Sequence, residues 1–521
     1  MDKLDDAQAC LPRVWAGHAE FYPDKTAVVC GNRRLDWRTF NTELNRIANS
    51  LIRDGIGRGD KVAVVMTNSI EMLLIMFAIS KGGACLVPIS ALLTADQVAG
   101  LIDDSDARML FVGDSTRHLV EPVLSRISKV ESDKRIAVGF AGAGWLPYDD
   151  WLDAKATGEP SVDYHMDDAF NIIYSSGTTG VPKGIVQTHK ARLHWSYSNA
   201  LEMRFTRNSI ALATTSLYSN GTWFMLLPPL LVGATIVIME QFTPQSLLEI
   251  ITSERVTHTF MVPTQFITTL EHADFDDYDL TSLVTMVSAG SPLRQDTKDQ
   301  ILARMGKGLY ELYGFSEGFA TIIRPEEIAE RTGSVGTPVL GFEIRILDDE
   351  GKVLPRGEAG EIAGYGKGLM KEYYKRPEET AALIWRDELD RTFLRSGDIG
   401  KLDEDGFLYI LDRKKDMIVS GGFNVFPKDV EAIVGSREDV SDVAVIGVPD
   451  PKWGEVPLAL IVAVPGTKPD PEAVRQWANE RLAKPQRLSG VEIRDDLPRN
   501  ALGKVLKREL REPYWSAGSP Q

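Results

Sequence analysis

Over the first four hundred residues, short apolar runs alternate with longer segments of helical spacing. Lys61-Val62-Ala63-Val64-Val65-Met66 leads into the apolar stretch 70–80, and Ala84-Cys85-Leu86-Val87-Pro88 follows it. The same alternation recurs at 235–239, 243–254 and 257–262. Strand, helix, strand at this spacing predicts parallel-rich sheets covered by helices, an α/β fold. Ligand loops in such folds leave the carboxyl ends of strands. The two most apolar stretches, 70–80 and 224–239, are ended or broken by Lys81-Gly82-Gly83, Pro228-Pro229 and Gly233. Neither offers a clean span of about 20 residues, so both read as buried elements of a soluble protein.

Near residue 400 the texture changes. Gly400-Lys401-Leu402 and the run from Phe407 to Leu411 form a predicted hairpin closed through Asp405-Gly406. A charged run follows, Asp412-Arg413-Lys414-Lys415-Asp416. After it come a predicted helix at 428–434, strands at 443–448 and 458–464, a helix at 472–482 and a short strand near Val491. This reads as a small α+β unit, with the boundary at Asp412. The expected organisation is a large N-terminal domain over 1–411 and a small C-terminal domain over 412–521.

Composition narrows the function. A chain of 521 residues is too long for one ordinary core. Its formal charge of −16 repels polyanions and supplies no basic stripe, so nucleic acid is not an expected partner. Cys10, Cys30 and Cys85 have neither metal-ligand spacing nor the density of a disulfide framework. The acidic start, Met1-Asp2-Lys3-Leu4-Asp5-Asp6, lacks the apolar core of a signal peptide. A reducing, cytoplasmic location is the expectation.

The densest chemistry lies at 174–184, Tyr-Ser-Ser-Gly-Thr-Thr-Gly-Val-Pro-Lys-Gly, after the apolar Phe170-Asn171-Ile172-Ile173. Glycines Gly177 and Gly180 let successive backbone N–H groups converge on an anion, the hydroxyls of Ser175, Ser176, Thr178 and Thr179 add neutral donors, and Lys183 adds a positive charge. No Gly-Lys-Ser/Thr closes the run, so it is not a Walker A loop. Downstream, Ser288-Ala289-Gly290-Ser291-Pro292 has the small residues that let a flat ligand approach the backbone. Tyr313 and Gly314 precede Ser316 and Glu317, so that Tyr313 could stack on a base and Glu317 could hold Mg²⁺ as a hard oxygen ligand. Arg395-Ser396-Gly397-Asp398 ends in a carboxylate able to accept both hydroxyls of a ribose. Gly421-Gly422 gives a second bendable loop, and Lys504 follows a polar turn near the C-terminus. Gly314-Phe315-Ser316-Glu317-Gly318 matches a hydrolase nucleophile elbow, but all seven histidines lie upstream of Ser316. The Ser…Asp…His order of that fold is therefore excluded.

Taken in order and over nearly the whole chain, these segments resemble the adenylate-forming superfamily of acyl-CoA synthetases, peptide-synthetase adenylation domains and luciferases. The resemblance implies a phosphate loop at 175–184 with Thr178 taking part in catalysis, and a nucleotide site that includes Gly290, Ser291, Pro292, Tyr313, Gly314 and Ser316. It implies Asp398 at the ribose, Arg413 among the nucleotide-binding residues, Glu317 at Mg²⁺, a mobile C-terminal domain with its hinge at Asp412, Gly421 and Gly422 at the CoA channel, and Lys504 as the catalytic lysine. Ser316 stands where threonine is usual in the family, which keeps the hydroxyl. Ser219 aligns where many CoA ligases carry histidine, which removes any role for an imidazole there.

The loop from Val419 to Pro427 looks like that of fatty-acyl and aryl CoA ligases. The reading is thus an AMP-forming acid–thiol ligase using ATP, Mg²⁺ and coenzyme A, with a possible homodimer. The alternatives are an adenylation enzyme loading a carrier protein and a noncatalytic nucleotide sensor. The expected acyl pocket draws on Tyr218, Ser219, Asn220, Val262, Ser288 and Gly290. Its segments, 218–223, 262–266, 288–290 and 315–320, contain no lysine or arginine, which favours an apolar monocarboxylic acid, fatty or aromatic, over malonate-like or amino-acid substrates.

Overall fold

The computed structural model describes residues 9–175, 182–420, 423–499 and 505–516. The chain divides into two compact units. The first comprises residues 1–327, 338–343 and 365–382, and the second 328–337, 344–364 and 383–521. Residues 383–411 thus fall in one compact unit with 412–521.

Two large sheets build the first unit. One runs from Arg33–Asp36 through Thr26–Cys30, Thr235–Ile238, Ile210–Ala213, His258–Met261, Thr285–Ser288 and Leu309–Gly314 to Ala320–Ile323. Its inner neighbours are parallel, and antiparallel strands close both of these ends. The other runs from Leu146–Pro147 through Arg135–Val138, Ala107–Gly113, Lys61–Val65, Cys85–Pro88 and Ala169–Ser175 to the antiparallel Lys183–Thr188 and Glu372–Tyr373. The parallel strands are buried on both faces, which is why they read as continuous apolar runs instead of alternating ones. Helix Ile70–Lys81 is buried along nearly its whole length, as its apolar composition on every face requires. Ser69 caps it by accepting the Met72 N–H at 3.1 Å.

Helix His189–Glu202 is also buried but carries polar residues inward: His189, Arg192, His194, Ser196, Ser198 and Asn199. Three of these turn back on their own helix, with Ser196, Ser198 and Asn199 donating to carbonyls four residues earlier at 2.7–2.8 Å.

In the second unit, residues 360–364 and the strand Leu408–Arg413 flank Thr392–Leu402, both antiparallel. The predicted hairpin forms: Leu402 faces Leu408, the Asp403 carboxylate accepts the N–H groups of Asp405 and Phe407, and Gly406 takes φ +90°. A further sheet holds Phe423–Val425, Ile418–Ser420, Gly454–Ala463 and Val440–Asp450, with Gly490–Arg494 parallel to Gly454–Ala463. Helices Pro427–Val434 and Pro471–Asn479 close its core through Val430, Val434, Val474 and Ala478. Among the described residues no helix is long and apolar enough to cross a membrane.

Candidate active site

In the first unit, the two ends of the glycine-rich run lie side by side because Ser175 pairs with Lys183 across antiparallel strands. Ser176, Gly177, Thr178, Thr179 and Gly180 fall outside the described residues. Gly184 cannot carry a side chain without displacement, since a Cβ there would meet the Ile172 Cγ2 at 2.8 Å and the Tyr174 ring at 3.2 Å.

Leu309–Gly314 and Ala320–Ile323 are antiparallel, and the turn between them presents Ser316 and Glu317. No helix follows Ser316, so the strand–turn–helix of a nucleophile elbow is absent here, in agreement with the histidine order. Gly318 adopts φ +113°, and a Cβ on it would lie 2.0 Å from the Gly368 carbonyl oxygen. The Glu317 carbonyl accepts the Met370 N–H at 2.6 Å, while Lys371 and Tyr374 donate to the carbonyls of Val186 and Gly184. This lays Glu372–Tyr373 along Lys183–Thr188 and brings three side chains together. The Tyr373 hydroxyl donates to Glu317 Oε1 at 2.5 Å, and Lys183 Nζ lies 4.9 Å from the Tyr373 ring centroid. Burial, reinforced by the Glu317 charge, pushes the Tyr373 hydroxyl far above its ordinary range, so it stays a donor at any working pH. The Ser316 carbonyl accepts from Gln187 Nε2 at 3.2 Å, and Tyr313 is half-buried opposite Thr321.

Tyr373 was not legible in the sequence, where Glu372-Tyr373-Tyr374 is an undistinguished aromatic pair, 56 residues beyond Glu317. Its position makes a prediction. Tyr373→Phe keeps the ring under Lys183 but frees the Glu317 carboxylate, so the Mg²⁺ concentration giving half-maximal rate is expected to rise by about ten- to a hundredfold, the worth of one hydrogen bond to a charged group. Titration of activity against Mg²⁺ checks it; an unchanged titration would remove Tyr373 from the site.

The expected acyl-pocket residues gather at the carboxyl ends of adjacent parallel strands. Val262 follows His258–Met261, Ser288 ends Thr285–Ser288, and Met261 pairs with Ser288. Gly290, at φ +94°, is placed so that an added Cβ would lie 3.7 Å from Val262 Cγ1, and Ser291 and Pro292 follow it. Tyr218, Ser219 and Asn220 form the half-buried entry to the 3₁₀ turn Asn220–Met225. Gly221 must be small, since a Cβ would meet Phe260 Cζ at 2.8 Å. Behind this wall the structure places a residue that those segments lack. Arg192, fully buried on helix His189–Glu202, donates from NH2 to Asn220 Oδ1 at 2.9 Å and from Nε to Asn171 Oδ1 at 2.7 Å. Its guanidinium lies 4.4 Å from the Trp223 ring centroid. The available sequence signal was its company at helical spacing, Trp195, Ser196 and Asn199, all of them buried.

In the second unit, Asp398 and Arg413 meet, with Arg413 Nε 3.0 Å from Asp398 Oδ1. Asp398 is buried, and its N–H donates to Ser396 Oγ at 3.0 Å across Gly397, which takes φ +70°. Asp412, 3% exposed, accepts the N–H groups of Arg413 at 2.7 Å and Lys428 at 3.0 Å. The second bond satisfies an otherwise orphan donor in the first turn of Pro427–Val434. Gly421, Gly422 and Lys504 fall outside the described residues. Ser420 pairs with Phe423 on either side of the two glycines, and Arg499 bridges Val505 on either side of the segment that holds Lys504.

The profile of the family described as AMP-binding enzyme matches residues 15–374, and that of the AMP-binding enzyme C-terminal domain matches residues 429–504. A feruloyl-CoA synthase of Amycolatopsis sp is 33% identical over 500 residues, covering 95% of this chain and 97% of that protein. ScoC, a fatty acid–[acyl-carrier-protein] ligase of Streptomyces coeruleorubidus, is 31% identical over 526 residues, covering 99% and 98%. The crystal structure of ATP-bound MatB from Rhodopseudomonas palustris superimposes with a TM-score of 0.86 at 28% identity, covering 98% of this chain and 100% of that one. Motif order, fold and these matches agree along the chain, and the protein belongs to the AMP-binding enzyme family.

Proposed function

We propose that the protein is an ATP-dependent carboxylic acid:CoA ligase that forms an acyl-adenylate and passes the acyl group to coenzyme A. The observation that carries this reading is the fixed Glu317, held by Tyr373 beside Lys183 at the end of the glycine-rich run. The relatedness to a feruloyl-CoA synthase supports the acceptor.

Mg²⁺ keeps several waters and takes one or two carboxylates together with phosphate oxygens. A single oriented carboxylate meets that need, and among the described residues no group of three His, Cys, Asp or Glu is arranged to hold a metal by itself. Glu317 would hold the ion, which when bound offsets charge on the β and γ phosphates. In the first half-reaction an oxygen of the substrate carboxylate bonds to the α-phosphorus and the bond to pyrophosphate breaks. Two anions must meet, so positioning and charge neutralisation matter more than proton transfer. Lys504 and Lys183 supply positive charge, Thr178 and its neighbours supply donors, and Asp398 with Arg413 orients the ribose. In the second half-reaction the CoA sulfur bonds to the acyl carbon, the carbon–oxygen bond to AMP breaks, and the thiol proton passes to solvent. The sulfur needs the space that Lys504 occupies. A turn of residues 412–521 about Asp412 would withdraw the lysine and bring Gly421 and Gly422 to the thiol channel. A homodimer and a cytoplasmic location belong to the same proposal.

The test is pyrophosphate release from ATP and Mg²⁺ over aromatic, cinnamic, short, medium and long-chain acids, each with and without CoA. Acid-dependent release that turns over only with CoA is expected. Release that stalls near one equivalent despite CoA would move the acceptor to a carrier protein, the reading favoured by the relatedness to ScoC. No release with any acid would leave a nucleotide sensor.

A further inference from the structure

Arg192 is a feature of the first unit that the proposed chemistry leaves unexplained. It is completely buried, and among the described residues the groups that meet it are neutral: two asparagine carbonyl oxygens and the faces of Trp195 and Trp223. Burial pulls the pKa of the guanidinium down to about 9, and among the described residues no carboxylate opposes it. Its NH1 is buried without a hydrogen-bond partner among the described residues, and so is Nδ2 of Asn171, the residue that its Nε holds. Two open donors, one of them charged, sit in one cluster. An uncompensated buried charge is among the costliest arrangements a fold can keep, and replacing it with an apolar side chain is often neutral or stabilising. Such a cluster lacks an acceptor.

Its place says which one. Asn220 joins Arg192 to the half-buried wall of the candidate acyl pocket. Asn171 lies on the strand Ala169–Ser175, which leads directly into the glycine-rich run. Asn171 stands four steps before Ser175, about 13 Å at the rise of a strand. Taking the proposed ligase reading as its base, we infer that Arg192 and Asn171 recognise a hydrogen-bond-accepting oxygen on the end of the acid remote from the reacting carboxylate. With the glycine-rich run at the phosphates, that length of strand sets an upper bound on the acid's reach, one that an aromatic ring with a short linker, or a chain of similar length, stays within. A long alkyl chain would drive apolar carbon onto the open donors. The pocket is thus apolar along its sides and polar at its end.

The test uses the whole enzyme and matched acids of that length, differing only in the remote group: hydrogen or methyl, a neutral oxygen (hydroxyl or methoxy), and a second carboxylate. kcat/KM from pyrophosphate release is expected to be about 10- to 100-fold higher for one oxygenated arm than for the unsubstituted acid, the worth of one hydrogen bond to a charged group. A preference for the carboxylate arm identifies a dicarboxylic acid, and for the neutral arm a hydroxy or methoxy acid. In Arg192→Met that ratio is expected to collapse toward one. Asn171→Asp, which removes one open donor and supplies a counter-charge to the other, is expected to lose any preference for the carboxylate arm. This second variant decides the matter if the first fails to fold, which thermal melting reports. Equal kcat/KM for all three arms in the native enzyme would mean that internal water meets the open donors, and overturns the inference while the ligase reading stands. Loss of all arms in proportion in both variants would make Arg192 a packing residue and overturns it too. No pyrophosphate release with any acid overturns the ligase reading and this inference together.

Discussion

Lys504→Ala is expected to lose adenylate formation by about a hundred- to a thousandfold or more, the cost of removing a preorganised donor from developing charge. The same variant, given synthetic acyl-AMP and CoA, is expected to form thioester within a few-fold of the native rate. The asymmetry follows from the charges. A carboxylate and an α-phosphate repel one another, and a cation between them lowers the barrier to their meeting. A thiol attacking an acyl carbon, with AMP as a good leaving group, meets no such repulsion. The two rates are measured separately, by acid-dependent pyrophosphate release and by thioester formation from supplied adenylate. Equal loss of both would end the proposal that the lysine leaves the site between half-reactions.

The second large effect is expected at Asp412. Fixing φ there with Asp412→Pro should spare adenylation and lower thioester formation by about a hundredfold, since a misplacement of about 1 Å at the reacting atoms suffices for that. The structure adds a necessary control. Asp412 is buried in the strand Leu408–Arg413, and its carboxylate holds the N–H groups of Arg413 and Lys428. Proline removes both acceptors as well as the freedom of φ. Asp412→Ala removes the acceptors and leaves φ free, and is expected to cost about 0.5–2 kcal/mol of stability, as for loss of a helix cap. A lower melting temperature in both variants, with thioester formation lost only in the proline variant, assigns the hinge to the backbone of Asp412. Parallel loss of both half-reactions in the two variants would make Asp412 a structural anchor and place the hinge elsewhere. Turning at this residue would also part Arg413 from Asp398 and Lys414 from Glu361, now 3.0 and 3.2 Å apart.

The elements that the sequence made legible share one property: their signal is local. Ile70–Lys81 reads as a buried helix because every face is apolar and a serine stands at its cap. The turn from Leu402 to Leu408 reads as a hairpin because Asp403 and Gly406 satisfy and bend the backbone within a few residues. Asp398 was expected at the ribose and Arg413 in the nucleotide site from separate motifs, and antiparallel pairing of their strands sets the two residues opposite one another. Strand lengths were less legible. Thr392–Leu402 and Val440–Asp450 each extend over 11 residues, beyond their apolar cores, because a paired neighbour holds polar residues in the ladder.

By itself the sequence pointed to the kind of chemistry: a glycine- and hydroxyl-rich run before a lysine suits a phosphate, and the order in which Tyr313 to Glu317, Asp398 and Lys504 follow it is that of the family the chain resembles. Only the tertiary structure decided which groups orient those residues and what stands behind the pocket wall. Tyr373 reaches Glu317 because residues 370–374 add as an antiparallel edge to Lys183–Thr188, and Arg192 reaches Asn220 because its helix packs inside the unit. The physical reason is common to both. Backbone propensity and capping act over a few residues and leave their mark in the sequence, whereas a hydrogen bond between side chains 28 or 56 residues apart exists only once the packing of two elements has fixed their distance.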